Sequence, residues 1–152
     1  LIAALLLTLV CLLIAVTEAK VFERCELART LNLQALHGYR GYTLGNWVCM
    51  AYHESSYNTR ALGPPNSDGS RDYGIFQINS RWCNDEQNLT GNAILLSPPS
   101  SHLLSFLNDD IEDDIVCAKR IVREPQGMNS WKAWRRNCNG KDLSPYTRGC
   151  GI

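Results

Sequence analysis

The sequence predicts an α+β protein, and three observations lead to this fold class. Apolar residues recur with the period of an α-helix in residues 24–35, 44–54 and 109–122. Between the last two segments, residues 57–80 are rich in Asn, Gly, Ser and Pro and contain a short run of β-forming residues. The chain also contains 7 cysteines among 152 residues. Helices on both sides of a small β insert indicate an α+β architecture, and the cysteines indicate disulfide bonds.

Length and composition exclude several classes of protein. A chain of 152 residues has room for one ordinary domain. Its 15 Lys and Arg balance its 15 Asp and Glu, so neither nucleic acid nor an anionic membrane is an expected partner. Apolar residues make up 45% and charged residues 20%, which excludes disordered, fibrous and low-complexity proteins.

The N-terminal segment is predicted to be a signal peptide, residues 1–19. Residues 1–16 are apolar except for one Thr, as in the hydrophobic region of a secreted precursor. They are fewer than the roughly 20 residues of a membrane span, so a retained anchor is the less favoured alternative. Because the sequence as given has no initiator Met or basic region, we expect that it begins inside the signal. Cleavage after Ala19 gives a secreted chain of residues 20–152 without a membrane span. Its net charge is +1, because loss of Glu18 leaves 14 acids against 15 bases.

The same cleavage makes the number of cysteines even. It removes Cys11 and leaves six, and an even number in a secreted chain predicts a disulfide framework. Six cysteines allow about 15 pairings, and their spacing alone does not choose among them. None lies close enough to another to form the knuckle of a zinc site. The six are Cys25, Cys49, Cys83, Cys117, Cys138 and Cys150.

The first half of the secreted chain contains two predicted helices and one predicted strand. The helices cover residues 24–35 and 44–54, and Thr43 is the expected N-cap of the second. Residues 67–69 predict a turn, and residues 73–78 predict a short strand beside a cleft.

Two further helices and one atypical segment complete the chain. The helices are predicted over residues 109–122 and 129–136, and Trp47 and Trp134 are expected in the core. Residues 86–107 differ from the rest, because they are rich in Leu and Ser, contain two adjacent prolines and lack cysteine. Their Asn-Leu-Thr sequon suits a surface loop of a secreted protein.

Two carboxylates stand in unlike surroundings. Glu54 ends the second predicted helix with Trp47 about two turns upstream, whereas Asp72 follows the polar turn and precedes Gln77 and Asn79. An acid against apolar surface shifts toward its protonated form, and an acid among amide groups stays ionised. Such a pair can cleave an acetal, because one acid protonates the leaving oxygen while the other attacks or stabilises the anomeric carbon. The plainer alternative, which position alone favours, is two solvated surface acids.

Four segments of the chain resemble animal C-type lysozymes, the family related to α-lactalbumin. They are long and specific, and they cover nearly all of residues 20–152 except residues 86–107. The segments read KVFERCELAR (20–29), HGYRGYTLGNWVCMAYHESSYNTRA (37–61), SDGSRDYGIFQINSRWCND (67–85) and DDIVCAKRIVREPQGMNSWKAWRRNC (113–138). The resemblance implies a helical lobe, a small antiparallel β-sheet lobe and an active-site cleft between them.

The resemblance also implies a role for each matched residue. Glu54 matches the general acid of the family and Asp72 its nucleophile or electrostatic stabiliser; lysozyme is the standard example of such a pair. Trp131 matches the tryptophan beside the acid, and Trp82 an aromatic platform for a sugar ring. The substrate-binding positions are Asn66, Gln77, Asn79, Trp82, Ser130 and Trp131, and Ser70 is a further polar neighbour of Asp72.

The implied activity is that of a muramidase for antibacterial defence or digestion. Such a retaining glycoside hydrolase cleaves the β-1,4 bonds between N-acetylmuramic acid and N-acetylglucosamine in bacterial peptidoglycan, with chitooligosaccharides as related ligands. The expected enzyme is a monomer and needs no cofactor for catalysis. Trp82 stands alone where family members usually have two aromatic residues, which implies one weaker sugar subsite. The net charge of +1 predicts slower and less salt-sensitive attack on intact cells than that of strongly basic family members.

The disulfide pattern of the family fits only in part. The usual partners of Cys83 and Cys117 would lie within residues 86–107, where no cysteine occurs. Either these two cysteines join each other in a bond that the family lacks, or both stay free, or residues 86–107 come from a mis-spliced or divergent transcript. The remaining bonds implied by the resemblance are Cys25–Cys150 and Cys49–Cys138.

A cluster of acids follows the atypical segment, with five acids in residues 109–114. Such a cluster suits calcium, which binds six to eight oxygen ligands, but acids also stabilise a helix N-terminus through its dipole. The stretch resembles the calcium loop of α-lactalbumin and the calcium-binding lysozymes, with Asn108 in place of a carboxylate, which implies weakened affinity. The implied ligands are Ser105, Asn108, Asp110, Asp113 and Asp114.

A second function stays open, that of a non-catalytic relative. This relative would be an α-lactalbumin-like regulator of a glycosyltransferase or a lysozyme-like saccharide-binding protein. Glu54 and Asp72 together favour the enzyme, because a binding protein has no chemical need for the pair. A third alternative, a chain that does not fold productively, depends on residues 86–107. His53, beside the acid, is expected to face solvent rather than to tune the pKa of Glu54.

Overall fold

The computed structural model describes residues 2–4, 19–83 and 100–152. In these ranges, α-helices and a two-stranded antiparallel sheet form an α+β fold, which confirms the predicted class. The helices are α1 (Arg24–Leu33), α2 (Leu44–Ser55), α3 (Ser100–Ser105), α4 (Glu112–Val122) and α5 (Lys132–Asn137). The strands are β1 (Asp72–Tyr73) and β2 (Ile78–Asn79), and short 3-10 helices span Tyr39–Gly41, Gly127–Ser130 and Ser144–Tyr146.

The helical lobe is organised around α2, which packs against α1 and α5. Helix α1 begins at Arg24, because the Glu23 carboxylate accepts hydrogen bonds from the backbone N–H groups of Cys25 and Glu26 at 3.0 and 3.1 Å. The apolar faces of the helices then meet in one core, where burial of each large side chain contributes roughly 1.5–3 kcal/mol. Its fully buried members include Leu27, Leu31, Trp47, Met50, Phe76, Phe106, Ile115 and Met128.

Both tryptophans that were expected in the core lie there. Trp47 is fully buried, and Trp134 is 5% exposed. The indole N–H of Trp134 donates to the side-chain oxygen of Asn46 at 3.0 Å. Trp47 meets the rings of Tyr42 and Phe76 edge-on, with centroids 6.5 and 6.3 Å apart.

Thr43 is the N-cap residue of α2, as predicted, but its hydroxyl makes no capping hydrogen bond to the helix backbone. The hydroxyl accepts a hydrogen bond from the side-chain amide of Asn46 at 2.9 Å. The backbone N–H of Leu44 donates instead to Nδ1 of His37 at 3.2 Å. A side chain from the preceding loop therefore satisfies the donor that the predicted cap would have left free.

Residues 73–78 do not form one strand, so the prediction of a single short strand at this place is wrong. Asp72 pairs with Asn79 and Tyr73 with Ile78, so the residues between form the turn of a hairpin. The turn requires a left-handed backbone at Gly74, where φ is 76°. A Cβ there would lie 2.2 Å from the carbonyl oxygen of Phe106. A contact with a residue distant in the chain thus fixes the turn.

Helix α4 begins three residues later than predicted, because Asp109 is held by Thr59 and Arg60, which follow α2. Its carboxylate accepts hydrogen bonds from the Thr59 hydroxyl at 3.0 Å and from the Arg60 guanidinium at 3.2 and 3.1 Å. The backbone N–H of Lys20 also donates to it, at 3.3 Å.

The helix predicted over residues 129–136 is divided in two. Trp131 separates the 3-10 helix from α5 and has an extended backbone, with φ −98° and ψ 116°. Its indole N–H donates to the carbonyl oxygen of Phe76 at 2.8 Å. The bond ties this break in the helix to the β hairpin.

Three disulfide bonds connect the two halves of the chain. Each joins a cysteine before residue 84 to a cysteine after residue 116. Of the alternatives for Cys83 and Cys117, the structure contains the bond between them, with Cα atoms 5.9 Å apart. The other two bonds are those that the resemblance implies, Cys25–Cys150 and Cys49–Cys138.

Some predictions fall outside the described residues. They concern most of the signal peptide and most of residues 86–107, including the sequon. The described part of the atypical segment contains α3 and the fully buried Phe106. No helix within the described ranges is long and apolar enough to cross a membrane.

Candidate active site

A cleft of about 1140 Å³ lies between the helical lobe and the β hairpin. Its walls come from the end of α2, the polar turn and hairpin, and the segment from Ser130 through α5. The cleft brings together all the catalytic and substrate-binding residues that were predicted. These are Glu54, Asn66, Asp72, Gln77, Asn79, Trp82, Ser130 and Trp131.

Glu54 is the second-last residue of α2 and is only partly exposed. Burial raises the pKa of Glu54 to about 7; a hydrogen bond from the backbone of Ala133 opposes this rise, and the negative charge of Asp72 adds to it. Glu54 therefore keeps its proton close to neutral pH. This is the protonation state that a general acid requires.

Two hydrogen bonds hold the end of α2 and the opposite wall in place around Glu54. The hydroxyl of Ser55 donates to the carbonyl oxygen of Ile75 at 2.7 Å, which fixes the helix end against the hairpin turn. The indole of Trp131 donates to the next carbonyl, that of Phe76, at 2.8 Å. Because the hairpin turn accepts both bonds, it sets the relative positions of Glu54 and Trp131.

Asp72 lies at the start of β1, opposite Asn79 of β2. The side-chain amide of Asn79 donates to Oδ1 of Asp72 at 2.8 Å and to the hydroxyl of Ser70 at 2.9 Å. The strand register therefore places an amide donor on the second carboxylate of the cleft.

The other amide residues of the cleft bond to neighbours of Asp72. Asn66 donates to the hydroxyl of Ser70 at 3.1 Å. The amide of Gln77 donates to the carbonyl oxygens of Ala61 and Gly74 at 3.0 and 3.1 Å. These bonds pre-organise the polar wall, since its side chains are held by the protein rather than by a ligand.

Several cleft residues were not assigned to it by any sequence pattern. His53 is exposed, as expected, and its Nε2 lies 3.1 Å from the Tyr146 hydroxyl. Helix α5 contributes Lys132, Arg135 and Arg136. Their spacing of three and four residues places them on one helix face. The sequence of α5 does not predict that this face borders the cleft, because its placement depends on the position of Trp131 in the fold.

The acid cluster lies apart from the cleft, and Asp114 is its buried member. Asp114 is 1% exposed, and within the described residues neither of its carboxylate oxygens has a hydrogen-bond partner. Burial raises the pKa of Asp114 to about 8; the nearby backbone N–H groups of Asp114 and Ile75 oppose this rise, and the charges of Asp113 and Asp110 add to it. A buried carboxylate without a partner is costly unless a cation neutralises it.

The chain is similar to known proteins over most of its length. A model of the C-type lysozyme/α-lactalbumin family matches residues 20–150. The chain belongs to this family. Lysozyme C-2 of Mus musculus is 53% identical over 149 residues, which cover 97% of this chain and 98% of the relative. Lysozyme C of Scophthalmus maximus is 52% identical over 145 residues, or 95% and 97%. Lysozyme C of Oryctolagus cuniculus is 54% identical over 135 residues, or 88% and 100%.

Family membership confirms the resemblance and the lysozyme-like fold. The chain is similar over nearly its whole length to several proteins named lysozyme, which confirms the prediction of an enzyme of the lysozyme type, a glycoside hydrolase. Saccharides are the substrates that this membership implies.

Proposed function

We propose that the chain is a secreted muramidase that cleaves the β-1,4 bonds between N-acetylmuramic acid and N-acetylglucosamine in bacterial peptidoglycan. The observation that carries this proposal is the pair of unlike carboxyls in one cleft. Glu54 has a pKa of about 7, and Asp72 accepts a hydrogen bond from Asn79 at 2.8 Å. Glu54 holds a proton close to neutral pH, whereas Asp72 is held by an amide donor, so the two carboxyls stand in unlike surroundings.

The two carboxyls act in sequence in the proposed reaction. Glu54 gives its proton to the glycosidic oxygen, so the bond to the leaving sugar breaks while Asp72 attacks or stabilises the anomeric carbon. The Glu54 carboxylate then takes a proton from water, whose oxygen adds to the anomeric carbon from the side of the departed sugar; where Asp72 has bonded to that carbon, this bond breaks and its carboxylate is released. The configuration is retained, and Glu54 regains its proton. Trp82 offers an indole face to a sugar ring, and the largely buried Trp131 forms part of the cleft wall.

Lysis of peptidoglycan suspensions by residues 20–152, produced under oxidising conditions, tests the proposal. We expect the unmodified chain to clear the suspension, and Glu54→Gln to lower the rate by at least about 100-fold, because the proton donor is lost. Glu124→Gln removes an exposed acid outside the cleft and is the matched control. A folded but inactive unmodified chain would instead favour the saccharide-binding or regulatory alternative.

We also propose secretion and a monomeric state. Three disulfide bonds support an oxidising compartment, because cytosolic thiols are kept reduced. Expression of the precursor in a secreting cell, followed by N-terminal sequencing of the medium, tests secretion, and light scattering tests the mass. Retention in the cell or a dimer mass would contradict these expectations.

We further propose that the acid cluster binds one calcium ion with a structural role. Ser105, Asn108, Asp110, Asp113 and Asp114 would hold it, and the ion would supply the positive charge that the buried Asp114 carboxylate lacks. Support comes from the two unpartnered oxygens of Asp114. In addition, the carbonyl oxygen of Phe106 and Oδ1 of Asp114 both lie against Gly74, so two oxygens approach the same point.

Calorimetric titration of chelator-stripped protein tests the calcium site. We expect binding that also raises the free energy of unfolding, by about 2.7 kcal/mol at 100 times the Kd. Asp114→Asn removes the effect, whereas Glu112→Gln, an exposed acid of the same cluster, keeps it. No heat with millimolar calcium would refute the site.

A further inference from the structure

Helix α5 presents a cationic face to the cleft. Lys132, Arg135 and Arg136 all line the cleft, and all three are exposed. The helix contains no acid of its own. We call Lys132, Arg135 and Arg136 the α5 cation face.

The protein itself hardly neutralises this face. Arg135 donates to the carbonyl oxygen of Asn129 at 2.5 Å. In the described part of the chain, the side chains of Lys132 and Arg136 have neither an ion pair nor a hydrogen bond. The ammonium group of Lys132 and the guanidinium group of Arg136 therefore line a cleft of saccharide size without a bond to any described protein group.

The acids of the cleft are already engaged. Asp68 forms an ion pair with Arg81 at 3.1 Å and accepts a hydrogen bond from Ser70 at 2.6 Å. Asp72 accepts from Asn79, and Glu54 keeps its proton near neutral pH. Among the described residues, none of these acids forms an ion pair with the α5 cation face, so its charges are open to an anionic ligand.

The balanced charge of the chain conceals this local excess. Residues 119–148 contain eight Lys and Arg against two acids, whereas five acids lie in residues 109–114. Long-range attraction to an anionic cell surface depends on the net charge and is weak here. A local cluster acts within the Debye length of about 8 Å in physiological salt, so it can select a ligand that has already entered the cleft.

We propose that the α5 cation face binds the carboxylates of the glycan and makes the enzyme selective for carboxylate-bearing over neutral saccharides. The inference rests on the proposed function. N-acetylmuramic acid carries a lactyl carboxyl group, or the peptide attached to it, whereas oligomers of N-acetylglucosamine are neutral. The planar guanidinium of Arg136 matches a carboxylate with two parallel hydrogen bonds, and Lys132 adds a mobile point charge.

The test compares two substrates in two double variants that change the net charge equally. Lys132→Gln with Arg136→Gln removes two charges from the α5 cation face. Arg40→Gln with Arg123→Gln removes two exposed charges that do not line the cleft. The substrates are soluble glycans of alternating N-acetylmuramic acid and N-acetylglucosamine, and neutral oligomers of N-acetylglucosamine of equal length. The measured quantity is the ratio of kcat/KM for the acidic and the neutral glycan at low salt.

We expect this ratio to fall about tenfold in the α5 variant, mainly through KM, and to stay unchanged in the control variant. Amidation of the glycan carboxyls should lower the ratio of the unmodified enzyme to the same extent. An unchanged ratio in the α5 variant would overturn the proposal, because it would show that the α5 cation face is solvated and does not bind the glycan carboxylates. An equal fall for both glycans would show a structural role, and an equal fall in the control would show an effect of net charge alone.

A separate result would identify failure of the proposed function. If the unmodified chain cleaves neither glycan, binding replaces catalysis as the readout. NMR titration with a disaccharide that contains N-acetylmuramic acid, and with the dimer of N-acetylglucosamine, then measures the same selectivity. Equal affinities for the two disaccharides would overturn the α5 inference.

Discussion

At the scale of the residue, the chain contains two buried carboxyl groups whose pKa values are raised for the same reason but with different consequences. Burial raises the pKa of Glu54 to about 7 and that of Asp114 to about 8. Glu54 opens into a cleft, where its proton can reach a substrate. Asp114 lies in the core beside Gly74, where only an ion held within the protein could meet it.

Glu54 is expected to lower the stability of the fold as the pH rises from about 4.5 to about 7. Its folded-state pKa of about 7 exceeds the usual 4.5, so the folded chain holds a proton that the unfolded chain releases between these values. The free energy of unfolding therefore falls as the pH rises through this window. Glu54→Gln should be more stable than the unmodified chain by about 3 kcal/mol at pH 8 and equal to it at pH 4. Urea unfolding at both pH values measures this difference.

Glu124→Gln is the control for this prediction, since Glu124 is an exposed acid. Its difference from the unmodified chain should be the same at pH 4 and pH 8. A Glu54→Gln variant that behaves in this way would show that burial of Glu54 costs no stability.

The same pKa predicts the alkaline side of the pH–activity profile. Glu54 must be protonated to act, so kcat/KM should fall tenfold per pH unit above about 7. Aryl glycosides with a good leaving group need less protonation and should show a weaker dependence. Equal profiles for the two substrates would contradict the assignment of Glu54 as the acid.

At the scale of the element, the β hairpin is the part on which the site depends most. Its turn accepts the hydrogen bonds of Ser55 and Trp131, and its register sets Asn79 against Asp72. Its strands contain only two residues each. Such short pairing is not stable alone, so the turn contacts hold the hairpin.

Gly74→Ala is expected to destabilise the protein strongly. The φ of Gly74 is 76°, and a Cβ would lie 2.2 Å from the Phe106 carbonyl oxygen and 2.4 Å from Oδ1 of Asp114. Gly69→Ala is the matched control, because Gly69 has a similar φ of 81° but nothing within 4 Å of the added Cβ. The control should cost about 1–2 kcal/mol for its backbone alone, and Gly74→Ala at least about 2 kcal/mol more. Thermal unfolding measures both, and equal losses would contradict the close approach.

Local sequence predicted the helices of this fold well and the hairpin poorly. Helical spacing located α1 and α2 to within two residues at each end, because their buried faces follow directly from the periodicity. The turn after Tyr73 depends on Phe106, and the start of α4 depends on the bonds of Asp109 to Thr59. Such contacts join distant parts of the chain, so no local pattern contains them.

The same division applies to the candidate site. The cleft contains Glu54 and Asp72, which matched positions of the family. The α5 cation face has no local signature, because three cations at helical spacing are ordinary on a solvated helix. Its position at the cleft depends on the break at Trp131, after which α5 runs along the cleft.

At the scale of the whole molecule, disulfide bonds connect parts of the chain that lie far apart in sequence. Two of the bonds follow the family, whereas the Cys83–Cys117 bond replaces the family's partners and encloses the atypical segment. Removal of a disulfide from a small secreted domain typically costs 2–5 kcal/mol.

We predict that loss of the Cys83–Cys117 bond costs less than loss of the Cys25–Cys150 bond. The sequence separations are 34 and 125 residues, and chain entropy then gives about 4 and about 5 kcal/mol. Denaturant unfolding of the two double Cys→Ala variants compares them. A larger loss for the shorter ring would indicate that this bond has a role in the packed core beyond the chain entropy.

The position of the three bonds has a consequence for a chain that has been cut. Each bond joins a cysteine before residue 84 to a cysteine after residue 116. A single backbone cut between these residues would leave two polypeptides still linked three times. A site for a sequence-specific protease, placed in residues 86–107, should yield one band on a non-reducing gel and two on a reducing gel. The native protein can thus become a two-chain molecule, whose halves separate only when all three bonds are reduced.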